Sequence, residues 1–242
     1  MSYLLGDGTQ FESAEMRRHV ETVTTAVREP LWSGDRIGAA LEIAAGGTAS
    51  GFRGPAFREF RPIPINEILA SGADPVFTST VQGCATMNSD PTGALESLRV
   101  AVAGCDANGL ALWCLGGAAR LVGSLDEALF AHERLVIIAP QSDSAHYELG
   151  HTLLMARRPD DAIEAFERTL DLNRWNITAH RGLASAHAKL GDIKAAVDAL
   201  ERAIALRPKR AQLWRELAQV RELAGDTEGA AAARAEASRL DG

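Results

Sequence analysis

Apolar and small residues recur along the second half of the chain at a fixed interval of 34 residues. Leu115, Leu149, Leu183 and Leu217 keep that spacing, and so do Ala128, Ala162, Ala196 and Ala230. Between them the apolar positions follow helical spacing, as Leu115, Ala119 and Val122 do. A constant phase over that distance predicts one helix–turn–helix unit, repeated and stacked, rather than a single irregular core.

The units run 109–142, 143–176, 177–210 and 211–242. Gly116, Gly150, Ala184 and Ala218 follow the repeated leucines, and their small size predicts close approach of helix backbones. Turn glycines recur at Gly123, Gly191 and Gly225, with Arg157 in the remaining unit. Pro140 and Pro208 end units, and Arg174 holds the place between them. Leu190-Gly191-Asp192 joins a helix stop to a helix start. Ala94 lies 34 residues before Ala128, so 75–108 reads as a degenerate repeat. The last helix carries Arg234, Glu236 and Arg239 among alanines and reads as a water-tolerant cap; an oligomer contact is the other reading.

This pattern resembles the tetratricopeptide repeat. All four units match it, and 177–210 matches best, with Leu190-Gly191-Asp192, Ala196, Ala203 and Leu206-Arg207-Pro208. The resemblance implies an all-α solenoid of antiparallel helix pairs; residues 1–74 before it read as a divergent helical region, either a divergent repeat or a separate capping element.

In that region, 12–28 predicts a helix with Met16, Val20, Val23 and Val27 on one side, and 33–45 predicts a second. Residues 46–67 then break the pattern with glycines, prolines, Phe52, Phe57 and Phe60, and Arg53, Arg58 and Arg61. A loop of that length reads as a strap packed on the repeats or as a partner-binding or dimerising arm. Its GGTASG stretch lacks the following lysine and the preceding strand of a phosphate loop.

Charge narrows the partners. A net charge of -7 and a pI near 5.4 speak against general affinity for nucleic acid or anionic membrane. No stretch approaches the roughly 18 apolar residues that span a bilayer. The first residues lack the basic and apolar regions of a signal peptide. Cys84, Cys105 and Cys114 lack metal-ligand spacing and read as free thiols, with the cytoplasm as the expected compartment.

Candidate chemistry is sparse. His146 and His180 share a repeat position with Leu112 and Trp214, which is a packing position. Asp126-Glu127 and Asp160-Asp161 are acidic helix starts. No nucleophile–base pair, metal motif or cofactor motif is present, so no catalytic, metal or cofactor residue is predicted.

In the family, the first helices of the pairs line a concave groove. Carried onto this sequence, that groove implies Trp113, Gly117 and Arg120, then Tyr147, His151 and Met155 with Leu154 beside them, then Arg181, Ser185 and Lys189, and last Arg215, Gln219 and Glu222. One end of this stripe is aromatic and soft, and the other is basic. Aromatic anchors and arginines suit a peptide or protein segment with an apolar part and an acidic part or free C-terminus. Gly117, His151, Ser185 and Gln219 stand where carboxylate-clamp members of the family carry asparagines. Charge reversal at Arg181 and Arg215 is expected to weaken capture without lowering the melting temperature. The expected function is a non-catalytic adaptor or scaffold. The alternatives are a self-assembling structural protein, which leaves room for a homo-oligomer, or an accessory enzyme component with a site in 1–74.

Overall fold

A computed structural model describes residues 75–106 and 108–241. The helices expected at 12–28 and 33–45, and the loop 46–67, lie outside the described residues. Ten helices and no strand occur among the described residues: α1 (Pro75–Thr86), α2 (Pro91–Gly104), α3 (Gly109–Leu121), α4 (Leu125–Ile138), α5 (Asp143–Met155), α6 (Pro159–Leu172), α7 (Ile177–Leu190), α8 (Ile193–Leu206), α9 (Ala211–Leu223) and α10 (Thr227–Asp241). They fall into two units that divide after Ala145, within the first turn of α5.

Local chemistry sets the helix limits. Asn108 and Asn176 accept hydrogen bonds from the backbone N–H three residues on, and the Ser142 hydroxyl does the same at the start of α5. These caps are 34 residues apart and satisfy otherwise unpaired amides at the starts of α3, α5 and α7. Asp90, Asp192 and Asp226 cap second helices in the same way. The turns within the last four pairs use a left-handed residue, at Gly123, Arg157, Gly191 and Gly225, with φ of 80°, 60°, 82° and 75°.

In the first unit α1 packs on α2 and on α3, α2 on α3, and α3 on α4. Its core joins Leu95, Leu98, Leu110, Leu112, Leu115 and Leu135. Asn108 also donates to the buried Thr80 hydroxyl at 2.8 Å, tying α1 to the α2–α3 turn. In the second unit α6 packs on α7, α7 on α8, α8 on α9 and α9 on α10. Ala94, Ala128, Ala162, Ala196 and Ala230 are all 0% exposed, so the alanine period marks contact positions with no room for a larger side chain.

Two expectations need correction. Cys84 and Cys114 are joined in a disulfide, with Cα atoms 5.5 Å apart, and only Cys105 is free among the described residues. Packing of α1 on α3 brings these two buried cysteines together across 30 residues of sequence, a meeting that no local spacing rule reveals.

The small residues after the repeated leucines also act differently from expectation. A Cβ on Gly116 would meet the His132 ring, 2.2 Å from Nε2, and one on Gly150 would meet the Phe166 ring at 2.8 Å. These glycines make room for a large side chain from the second helix of the same pair, rather than for a bare backbone contact. His132, Phe166 and Leu200 share this register and are buried. Arg234 takes the same register in α10, where it is half exposed and paired with Glu222.

Candidate functional site

The second unit contains a cleft of about 440 Å³, within the size range of ligand sites. Two first helices form its walls. From α5 come Tyr147, His151, Leu154 and Met155, and from α7 come Thr178, Arg181, Gly182, Ser185 and Lys189. Arg157 enters from the turn after α5, and Phe166 of α6 forms the floor. The walls follow from helical spacing, since residues three, four and seven apart share a face.

The floor is rigid. Phe166 is 0% exposed. Its ring is held between α5 and α7, because an added Cβ on Gly182 would come within 2.4 Å of it. Tyr147 tilts against Phe166 with ring centroids 6.0 Å apart and stacks on His151 at 6.2 Å. Met155 is 43% exposed, which leaves a soft apolar residue at the rim.

The cations of the cleft are not equivalent. The Arg181 guanidinium grips Glu216 of α9 with two hydrogen bonds, one of them Nε to Oε2 at 2.8 Å. Gln212 donates to the same carboxylate at 3.0 Å. The Glu216 hydrogen bond and its charge raise the Arg181 pKa against the opposing effect of burial. Burial alone would push the Glu216 carboxyl up, but the bonds from Arg181 and Gln212 outweigh it and hold the group below its ordinary value. Arg181 is thus a strut between α7 and α9.

Lys189 and Arg157, by contrast, have no carboxylate partner among the described residues. Arg157 also occupies a left-handed position that three glycines hold elsewhere, which costs about 1–2 kcal/mol for a residue with a Cβ.

The other expected groove residues lie elsewhere. Gln219 is exposed on α9 and is not part of the cleft lining. Arg215 pairs with Asp241 of α10. The basic end predicted from Arg181 and Arg215 is therefore largely compensated inside the chain, a pairing between helices that the pattern of single positions could not show. In the first unit Trp113 is half-buried against the core rather than an exposed anchor, and Arg120 sits in the last turn of α3. Arg157, Phe166, Thr178 and Gly182 line the cleft without belonging to the groove set expected from the sequence. The 16-residue offset from Gly150 to Phe166, matched by that from Gly116 to His132, was the signal that could have found the floor.

His146 and His180 are 9% and 7% exposed, in keeping with packing roles. No cluster of three potential metal ligands occurs among the described residues. No helix among them is long and apolar enough to cross a membrane.

Paired helices with left-handed turns and a buried alanine period define a tetratricopeptide-repeat fold, and residues 124–220 carry tetratricopeptide repeats. Two tetratricopeptide-repeat family models match the chain, over residues 124–174 and 153–220. Among solved structures it is similar to "MamA 41-end from Desulfovibrio magneticus RS-1", at 18% identity and a TM-score of 0.64, over 70% of this chain and 96% of that one. It is also similar to "Crystal structure of MamA", at 22% identity and a TM-score of 0.60, over 66% of this chain and 94% of that one. At these identities the likeness concerns the fold. No curated protein matches the sequence.

Proposed function

We propose that the chain is a non-catalytic interaction scaffold that holds a peptide or protein segment in the cleft between α5 and α7. The observation that carries this reading is the convergence of Tyr147, Leu154 and Met155 with polar and cationic groups in one open cleft floored by the packed Phe166 ring. An apolar anchor site with a few directed polar groups is the usual composition of a recognition pocket. The absence of a nucleophile–base pair in the sequence agrees with binding rather than catalysis. Affinity capture from the native cell by the full chain tests this, with Met155→Glu as the comparison. Met155 is exposed, so its change should abolish capture while leaving the melting temperature alone; equal capture by both proteins would sink the reading.

Self-association is a second reading, favoured by Phe130 and Ile137 on α4. They stand 58% and 67% exposed, two turns apart on one helix face. Light scattering across concentration tests it, and a constant mass would exclude it. The Cys84–Cys114 disulfide removes the free-thiol basis of the cytoplasmic expectation, because disulfides are more common in oxidising compartments.

A further inference from the structure

We propose that Arg157 and Lys189 form the anion-recognising end of the cleft, so that the segment it takes is an acidic one, with an apolar anchor followed closely by aspartate or glutamate. This rests on the peptide-binding reading of the cleft and specifies its partner. Arg181 is already committed to Glu216, so an incoming carboxylate would have to displace an internal, bidentate one. Arg158, next in the chain to Arg157, is likewise taken by Asp161 at 2.6 Å. Arg157 and Lys189 both line the cleft and have no carboxylate partner among the described residues. In a protein of net charge -7, two uncompensated cations facing one cleft make a local exception.

The backbone of Arg157 is the second observation. The three equivalent turns use glycine with φ of 75–82°, and Arg157 alone among the described residues carries a side chain at positive φ. Strain retained where glycine would relieve it points to a role for the side chain. Charge also argues against the chain's own 52–61 stretch as occupant, since Arg53, Arg58 and Arg61 outnumber Glu59 there.

The experiment pans a randomised peptide library displayed on phage against the full chain, then measures the enriched peptide by fluorescence anisotropy. Enriched sequences should place Asp or Glu within a few residues of an aromatic, Leu or Met. The Arg157→Gly/Lys189→Gln protein should bind the enriched peptide about tenfold more weakly. It should bind the Asn/Gln version of that peptide as well as the parent does. Arg157→Gly alone should melt at the same or a higher temperature than the parent, which separates lost recognition from lost folding. Enriched peptides without acidic residues, or basic ones resembling 52–61, would overturn the assignment. So would acidic-peptide binding unchanged in the double variant. No enrichment at all would sink the cleft reading itself, and the assignment with it.

Discussion

Phe166 and Gly182 meet so closely that a Cβ on Gly182 would stand 2.4 Å from the ring's Cζ. Gly150 crowds the other helix wall of the same ring, with a Cβ position 2.8 Å from Cε1. The ring is therefore pinned between the α5 and α7 walls. Gly182→Ala sets two effects against each other. Alanine favours a helix by about 1 kcal/mol over glycine, whereas overpacking a tight contact costs about 1–3 kcal/mol. With the ring fixed on both sides, overpacking wins, and a circular-dichroism melt should fall by several degrees. Phe166→Leu in the same protein should recover most of the loss, since Leu200 fills the equivalent position one unit later. A rise in melting temperature for Gly182→Ala would show that the ring can yield.

The Arg181–Glu216 pair reverses one expectation drawn from the sequence. Their side chains are only 31% and 20% exposed, and the pair ties α7 to α9. Placing it between an exposed pair and a fully buried one, breaking it should cost about 1–3 kcal/mol. Arg181→Glu should therefore lower the melting temperature instead of leaving it unchanged, because it sets a second carboxylate against Glu216. The swapped protein, Arg181→Glu with Glu216→Arg, should regain part of the loss. Arg215→Glu, at a half-exposed pair with Asp241, should cost under about 1 kcal/mol. Equal melting of Arg181→Glu and parent would remove the strut.

Some of these features can be read along the chain and others cannot. The alanine period, the turn positions and the wall of α5 were legible because each depends on spacing within one helix or on a strict repeat. Arg157 was visible as the odd residue among glycines, but its strain needed a backbone angle. The Phe166 floor, the Arg181–Glu216 strut and the half-burial of Trp113 depend on which side chains meet across helices. Residue type at a single position carries little of that information: an arginine in a groove stripe looks the same whether it faces solvent or a carboxylate from the next helix.

The disulfide between Cys84 and Cys114 closes a loop spanning 30 residues, for which chain-entropy arguments give about 3–4 kcal/mol of stabilisation. Reduction should lower the melting transition by several degrees. Cys84→Ala with Cys114→Ala should abolish that response to reductant. Alkylation of the denatured, unreduced protein followed by mass spectrometry should modify one cysteine, and all three after reduction. Three modified cysteines without reductant would show that the pair is open.

His180 sets the upper part of the acid response. Burial pushes its pKa below the ordinary 6.5; the Arg174 backbone opposes this, and the Arg202 charge reinforces it. The unfolded chain therefore takes up a proton more readily than the folded one. His180 costs nothing while both states are neutral, above about pH 6.5. Stability is lost as pH falls through the unfolded value toward the lower folded one. Glu216 acts in a separate window, because its folded pKa lies below the ordinary 4.5, and its contribution is lost only as pH falls under that value. Melting temperature should thus be flat from pH 8 to 7 and decline in two stages below about 6.5 and about 4.5. His180→Leu, which keeps an apolar side chain at a packing position, should shrink the first stage and leave the second. An unchanged first stage in that variant would assign it to another histidine.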